Sequence, residues 1–576
     1  MDGAQALIKT LDDLGIEYIF GYSGGAAIPI FDALETVKTK MKFILVRHEQ
    51  GAVHMADGYA RATGKPAAVL VTSGPGAGNT VTGLMTAMMD SVPMLVISGQ
   101  TVTWMLGKDA FQEADIFGIT IPVVKHNYLV KDTNTLPRIA REAYHIATTG
   151  RPGPVLIDVP KNISQGDFTG DMDAPMNLPG YDPSGSFKIS QAKVKEAATM
   201  ISQAKRPVIL AGQGAMIARA DKELRYLAET LGAPVTTTLL GKGVFPETHP
   251  LSLGMVGMHG TAYANKAMIE CDLLINVGSR FDDRIIGQPA KFCKDANIIH
   301  IDIDPAELGK VRRPDVPIVG DARLVAEELI RVLRNQGAPD NQTDRTPWRS
   351  TLSGWQEKYP LTYEQSAPGG LLKPQFVLEQ IRDLSPRDTI VASGVGQHQM
   401  WTAQYWNFQY PYTWINSGGL GTMGFSVPAA IGAKVGMPDR TVWAIDGDGC
   451  FQMTAQEMVT AATERIPVKI AILNNAYLGM VRQWQEMFYE ERYSEVYLSP
   501  DLPDYVKWAE AMGCVAMRVE SPEEVAPAIE KANSINDRPV VLEFRTDASE
   551  KVFPMVPPGS TNSQIVVGPG EEDVVQ

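Results

Sequence analysis

The sharpest chemical signal in the sequence is Gly447-Asp448-Gly449, followed 26 residues after Asp448 by Asn474-Asn475. Both stand at the ends of apolar runs, residues 442–445 and 470–473, that read as buried strands. In an open parallel sheet, ligands collect beyond the carboxyl ends of the strands. An Asp carboxylate and an Asn amide oxygen brought together there are hard oxygen ligands suited to Mg²⁺, whose remaining positions go to water and phosphate oxygens. Gly449 and Cys450 open the next helix, where N-terminal amides favour a phosphate. Each short motif alone is a common turn; their spacing, their strand context and a repeat described below favour a Mg²⁺–diphosphate anchor.

Other candidates are weaker alone. Ala211-Gly212-Gln213-Gly214 follows the apolar run 208–210 and precedes a helix, but a lone G-x-G is usually just a turn. Beside it stand the glycine-rich stretches 254–260 and 278–284 and the segment Ile301-Asp302-Ile303-Asp304-Pro305, with Gly320-Asp321 further on. Asp302 falls at a strand end, where a carboxylate commonly takes ribose hydroxyls. Glu49, in Arg47-His48-Glu49-Gln50-Gly51 after the apolar run 43–46, reads alone as a surface glutamate. Trp484 reads alone as core packing, yet its helix begins beside Asn475, and Val481 and Trp484 share a face at i, i+3.

These residues need rigid strand ends to hold them. Short apolar runs closed by Gly, Asp or Pro alternate with helical periodicity, as at 4–14, 220–231 and 454–463, which predicts α/β units with parallel sheets covered on both faces. A chain of 576 residues is too long for one core. Two linker-like stretches, 162–190 and 335–370 (the latter with a helix near 348–358), divide it into domains at 1–165, 190–335 and 370–550, with a Pro-, Gly- and acid-rich tail, 551–576, read as irregular. The first and third domains echo each other. Gly74-Pro75-Gly76 precedes a helix and then Ser91-Val92-Pro93 before a strand, as Gly447-Asp448-Gly449 precedes a helix and then Arg465-Ile466-Pro467. This reads as one α/β domain duplicated around a different one.

Composition narrows the classes. With 44% hydrophobic and 20% charged residues the chain is a folded protein, not a disordered one. Its net charge of −14 disfavours nucleic acid and anionic membranes. The uncharged stretch 66–89 carries too much Gly, Pro, Ser, Thr and Asn for a membrane span. Cys271, Cys293, Cys450 and Cys514 lack metal-ligand or redox-motif spacing and read as buried thiols in a reducing compartment. The early helix leaves no room for a leader, so a cytoplasmic location is expected.

GDG followed by NN resembles the motif of thiamine-diphosphate enzymes. Phe20-Gly21-Tyr22-Ser23-Gly24-Gly25, Asp109-Ala110-Phe111-Gln112-Glu113, the stretch 278–284, and Met480-Val481-Arg482-Gln483-Trp484 further resemble the catalytic large subunit of acetohydroxyacid synthase over essentially residues 1–550. The resemblance implies pyrimidine-binding, central and diphosphate-binding domains. It implies that pyruvate is decarboxylated and its two-carbon unit condensed with pyruvate or 2-ketobutyrate, giving 2-acetolactate or 2-aceto-2-hydroxybutyrate for branched-chain amino acids. It implies Mg²⁺ held by Asp448, Asn475 and the Tyr477 carbonyl, and the thiamine diphosphate site formed with Gly396, Gln397, His398, Gly421, Met423, Gly447, Gly449, Cys450, Gly479 and Met480. Glu49 resembles the glutamate that favours the imino form of the cofactor ring; Gln112 and Lys161 resemble polar residues on the approach to it, and Met423 the wedge beneath it.

By the same resemblance FAD, taking no net redox part, lies against Arg151, Gly212, Gly214, Thr238, Leu239, Met258, His259, Gly278, Arg280, Asp282, Arg284, Asp302, Ile303, Gly320 and Asp321. Gly25, Arg284, Val481 and Trp484 meet substrate, Trp484 favouring the larger ketoacid. A homodimer at least and a small regulatory subunit are implied, with no nucleic-acid or membrane partner. Ser23 and Val102 replace prolines usual in the family and leave channel shape open. The same flavin set would fit a pyruvate oxidase; Trp484 and Arg284 favour carboligation. Glyoxylate carboligase lacks the glutamate, a flavin-free acetolactate synthase would not need 278–284, and a silent paralogue would have a broken motif.

Overall fold

The computed structural model describes residues 1–178, 188–336, 345–365, 370–568 and 571–574; residues 179–187, 337–344 and 366–369, within the expected linkers, lie outside it. Three parallel six-stranded sheets are flanked by helices. The first holds β1 (Tyr18–Tyr22), β2 (Lys42–Leu45), β3 (Ala67–Val71), β4 (Met94–Gln100), β5 (His126–Leu129) and β6 (Pro154–Pro160), in the order β2-β1-β3-β4-β6-β5. The second holds β7 (Pro207–Ala211), β8 (Val235–Thr237), β9 (Ser252–Met255), β10 (Leu273–Val277), β11 (Asn297–Asp302) and β12 (Val316–Val319), in the order β12-β11-β10-β7-β8-β9. The third holds β13 (Ile390–Ser393), β14 (Trp414–Asn416), β15 (Val442–Gly447), β16 (Lys469–Asn474), β17 (Val515–Val519) and β18 (Val540–Arg545), in the order β14-β13-β15-β16-β18-β17. Strands such as β3, β7 and β16 are buried along their whole length, as strands covered on both faces must be.

Counted within each sheet, the first and third share the order 2-1-3-4-6-5, and the duplication read from the sequence is a duplication of topology. The middle sheet runs 3-2-1-4-5-6, the order of dinucleotide-binding folds, with its switch point between β7 and β10. The two copies meet through the helix Glu49–Thr63 after β2 and its topological counterpart, Ser426–Gly436, after β14. A Cβ on Gly58 would lie 2.0 Å from the Ala429 carbonyl oxygen, and one on Gly432 would lie 1.9 Å from that of Met55. Only glycine lets the backbones cross so closely. One apolar cluster accordingly runs through both domains, from Val53 and Met55 to Ala429, Ile431 and Ile470.

The helix expected at 348–358 is Thr346–Lys358, and the one expected at 454–463 is shortened to Glu457–Thr463 by turns before it. The start of the first linker is fastened down: Arg141 donates to the Met172 and Ala174 carbonyls, and Asn177 N donates to Glu142 at 2.7 Å. The tail departs from expectation. It carries an antiparallel pair, Gln564–Gly568 with Glu571–Val574, and Met555 bridges back to Val566. It pins itself to the middle domain through Val556 N to Met258 O at 2.7 Å and Asn562 Nδ2 to Asn265 Oδ1 at 2.7 Å. Its polar composition hid this, because the hold is hydrogen bonds to another domain rather than an apolar period. No described helix is long and apolar enough to cross a membrane.

Candidate active site

In the first domain, the residues singled out from the sequence gather at the carboxyl ends of the strands. Glu49 opens the helix after β2 and is 9% exposed. One carboxylate oxygen accepts from Asn79 Nδ2 at 2.9 Å, and the other lies 3.2 Å from where a Gly76 side chain would begin. The same Gly-Pro-Gly turn, with Gly74 at φ +59°, brings the Gln112 backbone carbonyl to 2.8 Å of the Gly74 Cβ position. Gln112 itself sits at φ +55°, a strained conformation for a residue with a side chain. Gly25 borders open space after β1, and Lys161 starts the short helix after β6. Across the domain boundary, Glu457 accepts from Arg47 N at 3.1 Å and His48 N at 2.9 Å, holding the chain just before Glu49.

In the third domain, Gly396, Gln397 and His398 follow β13, the loop 417–424 follows β14, Gly447–Cys450 close β15, and Asn475, Tyr477, Gly479 and Met480 follow β16. They converge. Asn475 Nδ2 donates to Gln397 Oε1 at 3.2 Å, and a Cβ on Gly479 would strike that same oxygen at 2.1 Å. His398 Nδ1 lies 2.9 Å from the Cβ position of Gly447, and Met423 Cε 3.8 Å from that of Gly449. Tyr477 N donates to Asn475 Oδ1 at 3.1 Å around Ala476, which is held at φ +62°. Cys450 is buried and its Sγ accepts from Gly424 N at 3.0 Å.

Asp448 is 1% exposed, and its Oδ2 has no hydrogen-bond partner among the described residues. Burial pushes its carboxyl up to about 7. A buried carboxylate oxygen with nothing to neutralise it fits a hard cation. Burial also lowers His398 to about 3, so it is a neutral imidazole at physiological pH.

A cavity of about 590 Å³ lies where the three domains meet. It is lined by Arg151 of the first domain, by Gly214, Thr238, Leu239, Met258, His259, Gly278, Arg280, Asp282, Arg284, Asp302, Ile303 and Asp321 of the second, and by Gly396, Gly421, Met423, Met480, Val481 and Trp484 of the third. Two of the glycines expected at the flavin, Gly212 and Gly320, are not in the cavity lining. A Cβ on Gly212 would meet the Gly278 carbonyl at 2.2 Å, and one on Gly320 would meet Val325 and Ile189; these glycines let backbone and core pack. The cavity is charged at one end, where Arg151 pairs with Glu307 at 2.8 Å and burial holds Asp302 up to about 6. At the other end it is lined by methionines, Val481 and Trp484, whose buried Nε1 has no hydrogen-bond partner among the described residues.

Glu49, Gln112, Lys161 and Gly25 do not line this cavity, nor do Asp448, Asn475 and Tyr477. Sequence reasoning missed Asn79, Glu457 and Asp90. The last accepts from Gly418 N and Gly419 N at 3.2 and 2.7 Å and from Arg61 at 2.8 Å, while its backbone carbonyl takes Gln213 Nε2. It therefore ties the cavity loop to all three domains. Its only signal in the sequence was an acid beside the repeated Ser91-Val92-Pro93.

The comparisons agree with this geometry. Family models described as thiamine pyrophosphate enzyme N-terminal TPP-binding, central, and C-terminal TPP-binding domains match residues 1–119, 194–329 and 394–544. The acetolactate synthase large subunit of Corynebacterium glutamicum is 51% identical over 98% of this chain and 90% of its own length. That of Mycobacterium tuberculosis is 50% identical over 99% and 92%. The isozyme 3 large subunit of Escherichia coli is 44% identical over 96% of each. Similarity of this extent, over sheets that bring the catalytic motifs to their carboxyl ends, shows that the chain belongs to the acetolactate synthase large subunits, thiamine-diphosphate-dependent carboligases.

Proposed function

We propose that the chain is the catalytic subunit of an acetohydroxyacid synthase that holds Mg²⁺ and FAD beside thiamine diphosphate, works as a homodimer at least, and takes pyruvate or 2-ketobutyrate as its second substrate. The carrying observation is the shared cavity, in which the charged flavin-facing residues of the middle domain meet Met423, Met480, Val481 and Trp484. When bound, thiamine diphosphate supplies the nucleophilic carbon and the electron sink that decarboxylation and carbon–carbon bond formation require.

The residues do the positioning. Asp448, Asn475 and the Tyr477 carbonyl would hold Mg²⁺, with Gln397, His398, Gly449 and Cys450 around the diphosphate. Glu49, fixed by Asn79 and shielded from water, would hold a proton at the pyrimidine ring, where a dry site strengthens the hydrogen bond. Arg284, 59% exposed in its side chain and at the cavity edge, would meet the carboxylate of the second ketoacid. Trp484 and Val481, one helical turn apart, would contact its alkyl group, an extra methylene being worth roughly 1–3 kcal/mol in such a pocket.

Glu49 and Asp448 belong to different domain copies, and among the described residues the side-chain hydrogen bond of Glu49 stays within its own domain. A second copy facing the first would bring one chain's Glu49 to the other's Asp448. The large-subunit relatives further support a small regulatory partner.

The test is incubation with pyruvate, thiamine diphosphate and Mg²⁺, with and without FAD. Acetolactate formed without oxygen uptake, and dependent on FAD, is the expected result; peroxide or acetyl phosphate would make the enzyme an oxidase. Pyruvate and 2-ketobutyrate in competition give the preference, which Trp484→Ala should shift toward pyruvate.

A further inference from the structure

The four cysteines are all buried and free, but they are not equally isolated. Cys271 ends the helix Ala262–Glu270, just before β10. Cys293 lies in a surface turn after the short helix Asp283–Ile286, at φ +46°, a conformation residues with side chains rarely adopt. The fold brings both thiols to the same backbone oxygen: Cys271 Sγ donates to the Met268 carbonyl at 3.5 Å, and Cys293 Sγ donates to it at 3.1 Å. They share an apolar pocket with Met268, Leu274, Phe281 and Phe292. Cys450 and Cys514 sit in the third domain, and among the described residues neither shares an acceptor with another thiol.

We propose that Cys271 and Cys293 are an oxidation site that closes to an intrachain disulfide when the protein meets a two-electron oxidant such as a peroxide. One thiol, as thiolate, attacks the peroxide oxygen, giving a sulfenic acid and releasing water. The second thiol then displaces a second water, and the sulfur–sulfur bond forms with both thiol protons ending in water.

The surroundings set how the pair behaves. Burial, with the Cys271 thiol close by, raises the Cys293 thiol well above its usual range, so the reactive thiolate is scarce while the turn is closed. The turn is nonetheless at the surface: its neighbours Ala290, Lys291, Lys294 and Asp295 are exposed. Oxidation therefore waits on local opening of this turn, which makes the pair a slow lock rather than a fast sensor.

The enclosed segment carries Gly278, Arg280, Asp282 and Arg284, all on the cavity wall. Its second role rests on the proposed flavin reading: the disulfide holds this wall and slows release of the flavin.

The wild-type protein, treated with hydrogen peroxide and then N-ethylmaleimide, is digested with trypsin without reductant. The expected product is the tripeptide 292–294 linked to the peptide 267–280, with free thiols falling from four to two per chain and restored by dithiothreitol. Cys293→Ala and Cys271→Ala should each abolish the linked species. Maleimide on both cysteines after oxidation, or their separate conversion to sulfinic acids, would overturn the site. This mapping needs no flavin, so it stands apart from the flavin reading. In the second arm, FAD-loaded oxidised and reduced protein are diluted and the rise of free-flavin fluorescence is timed. Slower release after oxidation supports the lock, and equal rates or no flavin binding refute it.

Discussion

The two duplicated domains share one strand order, yet each presents a different acid at its strand ends. The turn after β15 is Gly447-Asp448-Gly449, and the matching turn after β3 is Gly74-Pro75-Gly76. Where one turn presents a buried carboxylate with one oxygen unpartnered among the described residues, the other presents none and uses Gly76 to leave room for the carboxylate of Glu49. The helices after β2 and β14 show the reverse. One begins with the acidic Glu49, the other with the neutral Ser426, whose hydroxyl is spent on Asp446. A duplicated scaffold has thus kept equivalent strand ends while giving each copy one acid at a different one: Asp448 suited to a cation, Glu49 to a proton.

This division can be tested from both sides. The largest effect is expected from Glu49→Gln, which should cut turnover by about 10²–10⁴-fold, the range for general acid–base groups, while the thermal transition stays in place. Near-normal turnover would remove Glu49 from the chemistry. Asp448→Asn should leave the proton half intact and weaken Mg²⁺, measured by titrating activity with the metal. The loss should be no less than the roughly 10–100-fold typical when an outer-shell partner of a metal site is removed. An unchanged metal requirement would erase the contrast between the two turns.

Glu457 joins the copies, since its carboxylate holds the Arg47 and His48 amides of the other domain. Burial raises its carboxyl from 4.5 to about 7. The folded state then holds this proton more tightly than the unfolded chain. The resulting stabilisation is present below about pH 4.5 and is lost as pH rises through about 7. Glu457→Gln removes the titration, so its stability should gain on the wild type between those values, by roughly 3 kcal/mol at most. Parallel pH profiles in denaturant melts would show that the joint does not titrate. The smallest effect is expected from Gly76→Ala, whose Cβ would press Thr72 Cγ2 at 2.8 Å and Glu49 Oε1 at 3.2 Å. Overpacking of this kind costs roughly 1–3 kcal/mol, and it should lower turnover more than Gly449→Ala, where two flexible leucine side chains can yield.

What the sequence made legible was local. Asp448 and Asn475 could be read because each directly follows an apolar run, and the three α/β domains because those runs recur between helices. The stretch 278–284 and the pair Val481 and Trp484 were likewise contiguous, and residues of both line one cavity. What was not legible depends on partners far along the chain. Asn79 meets Glu49 across 30 residues and Glu457 meets His48 across 409. Cys271 and Cys293 become neighbours only because two connections beside β10 fold back to one carbonyl. The close backbone and core neighbours of Gly212 and Gly320 were not legible either, since a glycine that admits a ligand and one that admits a neighbouring backbone look the same in a sequence.

The crossing of the helices Glu49–Thr63 and Ser426–Gly436 also has a consequence for synthesis. The first helix emerges early, almost wholly composed of residues that end up buried, and its fitted partner lies more than 350 residues downstream. At roughly 5–20 residues per second, a ribosome needs on the order of tens of seconds to supply that partner. The middle domain, with its own core, can fold during this interval, whereas the first cannot finish. Its apolar helix face stays open on the nascent chain through that interval, an aggregation-prone surface until the partner helix arrives.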